Sequence, residues 1–352
     1  MKTTSTARRS AARRAATALA AAGAAVALTA GAASASGSFS QFEVLTQNSV
    51  NRLVAEFPAS QLSTNSFVAP DSSPALADLG GGGVEIAFAA SDHTLWRGSP
   101  ESNAFVAGFE VGRHLTLAPG TSPAVAGDGH GGWKIAIHGS NGDLQTIDSA
   151  DTIIDTGAAM APGSSPSVAY LPAAHGYEFT FAGPDNLLWR AFPDTNAFHV
   201  SGGLGVQPGT SPAIATDGNA GFKIAFHAQG GDHMWTAASN GVVTDSGTAM
   251  SAGSSPALAF LPIAGGYEIT FAGSDNLLWR AFPDTNAFHV GAGLGVAPGT
   301  SPTIATGGPA AWEIAFHAPG DHLWTADGAG AVVDTQLVLS AGISPSVAAR
   351  TS

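Results

Sequence analysis

Residues 254–282 read SSPALAFLPIAGGYEITFAGSDNLLWRAF, and their pattern indicates the fold class. It holds three short segments that are apolar or that alternate as strands do, at 255–260, 267–271 and 277–282. A Gly-Gly pair and a Ser-Asp-Asn tripeptide, both turn signals, separate them. Residues 287–294 can supply a fourth strand. The pattern predicts one four-stranded antiparallel unit.

The same layout recurs along the chain and is marked each time by a Ser-Pro dipeptide. The prolines follow one another at intervals of 43 to 49 residues and are Pro74, Pro123, Pro166, Pro212, Pro256, Pro302 and Pro345. A repeat of this length without helical periodicity is typical of a propeller blade. Its strands are apolar on both faces, as expected of sheets that are covered on each side.

The two ends of the sequence complete each other. Residues 344–349 match a first strand with nothing after it, whereas 42–46 and 51–57 match a second and a third strand with no first strand before them. Joining the ends gives a spacing of about 46 residues, which lies within the range of the other repeats. The sequence therefore predicts an all-β, seven-bladed β-propeller of four-stranded blades, whose N- and C-terminal segments share one blade. Such closure removes exposed sheet edges.

The copies alternate between two classes. Class A blades carry a longer loop after the third strand and begin at Ser72, Ser164 and Ser254. Class B blades tend to carry a histidine-rich second turn and begin at Thr121, Thr210 and Thr300. If binding sites exist, this alternation predicts about three equivalent ones in one class.

Residues 1–35 resemble a signal peptide. They contain a basic start, an Ala-rich apolar run and the small-x-small sequence Ala33-Ser34-Ala35. We therefore expect secretion, with residues 36–352 forming a single propeller domain. That part has no further apolar stretch of membrane-spanning length.

Composition excludes several classes of function. Outside residues 1–35 the chain has 8 basic and 26 acidic residues, a formal charge of −18, which argues against nucleic acids and anionic membranes as partners. The chain has no cysteine, so catalytic cysteines and thiolate metal sites are excluded. No motif calls for a cofactor.

The motifs Ser-Pro-x-Val/Ile/Leu-Ala, Gly-Tyr/Phe/Trp-Glu/Lys-Ile-x-Phe and Leu-Trp resemble those of secreted bacterial seven-bladed propeller lectins of the PLL type. They are also similar to propeller lectin modules of secreted trypsin-like and umbrella toxin proteins. The resemblance spans residues 36–352 and implies carbohydrate binding in shallow pockets between or on top of the blades. No trypsin-like segment accompanies the repeats in this sequence.

An aromatic residue in the third strand is the first carbohydrate-binding candidate. Five blades place tryptophan there: Trp96, Trp189, Trp235, Trp279 and Trp324. An indole face can stack on a sugar ring while its N–H donates a hydrogen bond. The alternative is that these side chains pack neighbouring blades together. The other two blades have Gln145 and Val54, and a glutamine suits a lost binding site better than a dry core.

Loops supply further candidates for polar sugar contacts, because loops often carry function. In class B turns these are His227, Asp232, His233, His317, Asp321 and His322. In class A loops they are Asn196, His199, Asn286 and His289. Turn stabilisation by hydrogen bonds is the alternative for the first set, and recent duplication accounts equally well for the identical loops of the second. The histidine spacing matches no strong zinc motif, so no metal is expected.

A charged residue in the second strand forms a last set. It is Glu43, Glu85, Glu178, Glu268 and Glu313 in five blades and Lys134 and Lys223 in two. A structural ion pair with a third-strand arginine is favoured over sugar binding, although six-bladed fucose lectins use a similar Arg, Glu and Trp set. Repetition of every candidate favours multivalent binding over a single active site. We therefore predict a non-enzymatic lectin for glycans or polysaccharide. The alternatives are a scaffold that binds another secreted protein, a toxin-particle component or, least favoured, a propeller glycoside hydrolase.

Overall fold

The computed structural model describes residues 42–57, 60–98, 109–110, 115–200, 202–307 and 311–350. The predicted signal peptide lies outside these residues. Within this part of the chain, no helix has the length and apolar character needed to cross a membrane. The one helical segment described there is a 3-10 turn at Pro172–Ala174.

The described residues form 28 β-strands. In chain order these are β1 (Phe42–Gln47), β2 (Arg52–Phe57), β3 (Ser60–Phe67), β4 (Ala75–Gly80), β5 (Gly83–Ala89), β6 (Leu95–Gly98), β7 (Phe109–Glu110), β8 (Ala124–Gly127), β9 (Trp133–His138), β10 (Asp143–Asp148), β11 (Ile153–Ala159), β12 (Ser167–Leu171), β13 (Gly176–Ala182), β14 (Leu188–Ala191), β15 (Ala197–His199), β16 (Ala213–Thr216), β17 (Phe222–His227), β18 (His233–Ala238), β19 (Val243–Ala249), β20 (Ala257–Leu261), β21 (Gly266–Ala272), β22 (Leu278–Ala281), β23 (Ala287–His289), β24 (Thr303–Thr306), β25 (Trp312–Ala318), β26 (His322–Asp327), β27 (Val332–Val338) and β28 (Ser346–Ala349).

These strands make seven four-stranded antiparallel sheets, which confirms the predicted propeller. Blades 1 to 6 are β4–β7, β8–β11, β12–β15, β16–β19, β20–β23 and β24–β27. Blade 7 has the order β28-β1-β2-β3, so both chain ends contribute to it. Val44 of β1 pairs with Val347 of β28, as the complementary ends of the sequence predicted. The fourth strand of blade 5 ends at His289, earlier than the candidate range 287–294 allowed.

A closed ring of hydrogen bonds explains the Ser-Pro repeat. The backbone N–H of each Ser-Pro serine donates to Oγ of the corresponding serine in the next blade, over 2.8 to 3.0 Å. The order is Ser73, Ser122, Ser165, Ser211, Ser255, Ser301, Ser344 and back to Ser73. The serine is therefore a contact between blades, whereas in the sequence it was only a marker of the repeat. The first strands also contact one another in a closed circle from β4 round to β28.

The hydrophobic core is divided among the blade interfaces. Seven clusters of buried side chains occur in the described residues, one between each pair of neighbouring blades. Second strands supply their largest members, such as Phe181, Phe226 and Phe271, each fully buried. A blade is thus covered on both faces, which accounts for strands that are apolar on both faces.

Strand direction gives the propeller two distinct ends. One end carries the serine ring and the turns between second and third strands, and we call it the Ser-Pro end. The other carries the turns between first and second strands and between third and fourth strands, and we call it the opposite end. Any side chain near a strand terminus can therefore be assigned to one end.

Candidate functional site

Trp189 lies at the Ser-Pro end of blade 3, beside an aspartate and a histidine. Its Nε1–H donates to Oδ1 of Asp185, 3.2 Å away, in the turn that precedes β14. His199 is directly opposite Trp189 on β15, and its Nε2 lies 3.1 Å from Oδ2 of the same carboxylate. The indole and imidazole ring centres are 4.1 Å apart. Gly183 is required here, because a Cβ at that position would lie 2.1 Å from the indole nitrogen.

Blade 5 repeats this arrangement. Trp279 Nε1 donates to Oδ1 of Asp275 over 3.0 Å, and His289 Nε2 lies 3.0 Å from the other carboxylate oxygen. The two ring centres are again 4.1 Å apart. The structure therefore brings together the predicted pairs Trp189 with His199 and Trp279 with His289. Asp185 and Asp275 also belong to these clusters. The sequence analysis did not name them as site residues, because it showed only that they lie in turns.

Class B blades assemble the same three residue types with two positions exchanged. In blade 4, Asp245 rather than a histidine is opposite the tryptophan, Trp235. The histidine, His233, comes two residues before Trp235 on β18, and therefore on the same face. His233 Nδ1 lies 3.1 Å from Oδ1 of Asp245.

Blade 6 matches blade 4. Trp324 is opposite Asp334, and His322 Nδ1 lies 3.1 Å from Oδ2 of that aspartate. A Trp–His–Asp trio thus occupies the Ser-Pro end of blades 3, 4, 5 and 6. The trio occurs in both classes, which reach it by different placements, whereas the sequence predicted about three equivalent sites in one class. The number of sites stays a prediction.

The other three blades do not show the complete trio in the described residues. In blade 1, Trp96 Nε1 donates to Thr94 Oγ1 over 2.9 Å. In blade 2, Gln145 Nε2 donates to Asp155 over 3.2 Å, so this glutamine lies in a polar cluster as expected. In blade 7, Val54 occupies the position. Among the described residues, the trios therefore form one arc of four consecutive blades.

Hydrogen bonding lowers the pKa of three of the four trio carboxylates. Partial burial raises the pKa of Asp185, but bonds from the Leu187 N–H, Trp189 and His199 outweigh it and hold that pKa below its usual range. The same balance lowers the pKa of Asp275 and of Asp334. Each trio thus offers a charged acceptor, an imidazole and a half-buried indole at an exposed surface.

The remaining histidine candidates are buried between blades. His227 and His317 have side chains 1% and 0% exposed, and their Nδ1 atoms lie 3.2 Å from Ser254 O and 2.8 Å from Ile343 O in the next blade. Burial lowers the pKa of His227, against a smaller opposing effect of the Ser254 carbonyl. These contacts join blades. Sugar binding by these two rings stays a prediction.

The last candidates do not gather around the tryptophans. Asp321 Oδ1 lies 3.1 Å from His317 Nε2, while Asp232 lies 3.8 Å from His227. Asn196 lies immediately before the fourth strand of its blade, at the opposite end, where its Nδ2 donates to Phe192 O over 3.1 Å. Asn286 repeats that contact in blade 5. The structure thus separates both asparagines from the histidines of the same loops.

Three of the five second-strand glutamates, Glu85, Glu178 and Glu268, form the expected ion pair with an arginine of the third strand. Arg190 donates to both oxygens of the buried Glu178, over 2.6 and 3.0 Å. Its guanidinium lies between the rings of Phe198 and Phe222, at 4.8 and 4.7 Å from their centres. A cavity of about 220 Å³ between blades 3 and 4 is lined by Arg190, both rings and His199. The blade 3 trio therefore borders an inter-blade cavity.

Burial raises the pKa of several glutamates above its usual range. It raises the pKa of Glu85 and of Glu268 to about 7 against the opposing effect of the neighbouring arginines. At the interface of blades 6 and 7, Glu313 stands where blades 2 and 4 have lysine. Burial, with Asp327 and Glu56 close by, raises its pKa to about 8. Burial likewise raises the pKa of Glu56 to about 7.

We expect the protein to be more stable at pH 5 than at pH 8. A carboxyl whose pKa is higher in the folded than in the unfolded chain stabilises the fold below its ordinary pKa, and this contribution is lost as pH rises through the folded value. The difference in the free energy of unfolding between pH 5 and pH 8 should be smaller in Glu313→Gln than in the native protein, by about 1–3 kcal/mol. Urea unfolding at both pH values measures it, with the exposed Asp151→Asn as control. An unchanged pH dependence in Glu313→Gln would contradict the prediction.

Comparison with known proteins supports the fold. No protein-family model and no curated protein sequence matches the chain. Among solved structures, the chain is similar to the SapL1 lectin in complex with alpha methyl fucoside, with a TM-score of 0.55 and 15% identity over 76% of this chain and 96% of that one. It is also similar to the lectin of Aleuria aurantia in complex with Fucalpha1-6GlcNAc, with a TM-score of 0.54 and 11% identity over 76% and 95%.

The same fold occurs in an enzyme. The chain is similar to a streptogramin B lyase, with a TM-score of 0.51 and 12% identity over 86% of this chain and 89% of that one. At such identities the similarity shows the propeller fold alone. The Aleuria lectin is a six-bladed propeller, so the present ring has one blade more.

Proposed function

We propose that the protein is a secreted, multivalent carbohydrate-binding protein whose sites are the Trp–His–Asp trios of blades 3 to 6. The observation that carries this proposal is the recurrence of one residue set at one end of four consecutive blades. Two blade classes reach that set with histidine and aspartate in exchanged positions. A purely structural contact would need no such agreement, since each class could pack its tryptophan in its own way.

The chemistry of the trio suits a sugar. An ionised carboxylate accepts hydrogen bonds from sugar hydroxyls, and the imidazole nitrogen that is not bonded to the carboxylate can donate or accept one. The indole supplies an apolar face for the C–H side of the ring. A shallow site with few contacts binds weakly, and four such sites on one surface gain strength by avidity.

The structural neighbours suggest which sugar to test first. SapL1 and the Aleuria lectin are both seen in complex with fucose-containing ligands. Fucosides are therefore the first probes for this chain. The leader-like residues 1–35 support an extracellular setting for such ligands.

The proposal predicts a specific loss of binding. Asp275→Asn combined with His289→Ala should lower the number of methyl α-L-fucoside molecules bound per chain by one, and the same changes in all four trios should lower it by four. Loss of a charged hydrogen bond costs about 1.5–3 kcal/mol, so each altered site should bind roughly 10- to 100-fold more weakly. Isothermal titration with methyl α-L-fucoside gives the number of sites.

The control is Asp92→Asn in blade 1, an exposed aspartate of a turn without the trio. It should leave both the number of sites and the affinity unchanged. Full glycan binding by the variant altered in all four trios, with an unchanged melting temperature, would show that the trios are not the sites. Release of cleaved sugar by the native protein would show catalysis instead.

A further inference from the structure

A second cleft lies at the opposite end, on the far side of the propeller from the trios. It opens between blades 4 and 5 and has a volume of about 560 Å³, within the range of ligand pockets. The turn between β16 and β17, the turn between β18 and β19 and the loop after β22 surround it. None of the trio residues lines it.

A lysine, an aspartate and a threonine form one polar side of this cleft. Lys223 Nζ lies 2.7 Å from each carboxylate oxygen of Asp284 in the next blade. Thr236 Oγ1 donates to Oδ2 of the same carboxylate over 2.6 Å. An ammonium donor and a carboxylate acceptor thus stand side by side. Two adjacent hydroxyls of a ligand can use such a pair, one accepting from the ammonium and the other donating to the carboxylate.

Aromatic rings supply the apolar side. Phe222, Tyr267 and Phe282 all line the cleft, and the Tyr267 ring lies 5.3 Å from Lys223 Nζ. Aromatic walls with a few fixed polar groups are typical of small-molecule sites. They suit the apolar C–H face of a sugar ring.

Charge selects a neutral ligand. The charged residues that line the cleft are Asp217, Lys223 and Asp284, which together carry one negative charge. The lysine is already neutralised by its two contacts with Asp284, so the cleft offers no surplus cation for an anionic sugar. Asp284 is neutralised by Lys223 in the same way, so its carboxylate offers no surplus charge for a cationic ligand.

The same polar set recurs between blades 2 and 3. Lys134 Nζ lies 2.6 Å from Asp194 Oδ2, and Thr146 Oγ1 donates to the same oxygen over 2.6 Å. Tyr177 stands at the position of Tyr267. Blade 6 departs from the pattern, because Glu313 replaces the lysine.

We propose that the cleft between blades 4 and 5 binds a neutral pyranose through a vicinal diol, and that the equivalent polar set between blades 2 and 3 forms a second site of this kind. The protein then has two kinds of carbohydrate site on opposite ends of one ring. Such an arrangement can cross-link two glycan-bearing surfaces, which sites on one end alone cannot do.

Native mass spectrometry can count the bound sugars. The probes are methyl α-L-fucopyranoside, methyl β-D-galactopyranoside and methyl α-D-mannopyranoside, each at millimolar concentration. A variant with His199, His233, His289 and His322 all changed to alanine impairs the trios. We expect it to retain two bound molecules of at least one probe per chain.

Substitution of two exposed serines can block both proposed sites while the ion pairs of Lys134 and Lys223 stay intact. Ser239 lines the cleft between blades 4 and 5, and Ser149 is its counterpart in blade 2. In the four-alanine background, Ser149→Trp with Ser239→Trp should remove both bound sugars, a loss of at least 10-fold in affinity. Ala329→Trp, in the corresponding turn of blade 6, should change nothing.

The proposal is overturned if the four-alanine variant binds none of the three probes. It is also overturned if the two added tryptophans leave the count unchanged. Loss of sugar binding by the trios in the same experiment tests the sites at the Ser-Pro end and not those at the opposite end. The two proposals can therefore fail separately. Thermal melting of each variant confirms that the ring is intact.

Discussion

Removal of residues 344–352 is expected to abolish cooperative folding. This change deletes β28, whose Val347, Ala348 and Ala349 are buried between neighbouring blades. It also breaks the serine ring at Ser344 and the circle of first strands. The loss should be about 5 kcal/mol or more, which is of the order of the whole stability of an ordinary domain. Differential scanning calorimetry measures it.

The truncated chain should also self-associate. Without β28, strand β1 presents an unpaired edge, and such edges pair with other chains. Light scattering would detect the association, and a synthetic peptide of residues 344–352 should reverse it. Removal of residues 351–352 alone is the control and should leave the melting temperature within about 2 °C. A sharp, unshifted melting transition for the longer truncation would contradict ring closure by β28.

Asp284→Ala is expected to be the most damaging single change to a charged residue. It leaves Lys223, whose side chain is only 18% exposed, without the carboxylate that contacts its Nζ at 2.7 Å, and it leaves the buried Thr236 without its acceptor. Removing one member of a buried ion pair costs about 3–5 kcal/mol. Guanidinium unfolding of the variant measures this cost.

The matched control is Asp275→Ala. This aspartate is 41% exposed and contacts His289 at the surface, and exposed pairs of this kind are worth only about 0–1 kcal/mol. A second variant, Lys223→Met with Asp284→Leu, replaces the buried pair with apolar side chains and should recover much of the lost stability. Equal effects of Asp284→Ala and Asp275→Ala would show that the buried pair does not join blades 4 and 5.

The trios show which candidate site residues could be predicted from the sequence. The tryptophans, His199 and His289 stood out because they recur at fixed positions in the repeat. Asp245 and Asp334 did not, because they lie in fourth strands that carry no distinguishing motif. Their importance comes from register, since antiparallel pairing sets each opposite a tryptophan ten residues earlier.

The histidines show the limit of the same reasoning. His227 and His233 are only six residues apart and read alike in the sequence. His227 is the last residue of β17 and points into the blade interface. His233 is the first residue of β18 and bonds to Asp245 at the surface. The exposure of each histidine depends on which face of its blade the neighbouring blade covers, and the local sequence pattern does not indicate this.

The strands, the seven repeats and the shared last blade could all be predicted from the amino-acid sequence. These follow from hydrophobic alternation, spacing and the complementary ends, all of which are properties along the chain. The side-chain contacts could not be predicted in this way and are seen only in the folded ring. They are the serine ring, the pair of Lys223 with Asp284 61 residues away, and the arc of four trios. The physical reason is that these contacts join segments separated by a whole blade or by a strand pairing, and their partners are set by the geometry of ring closure.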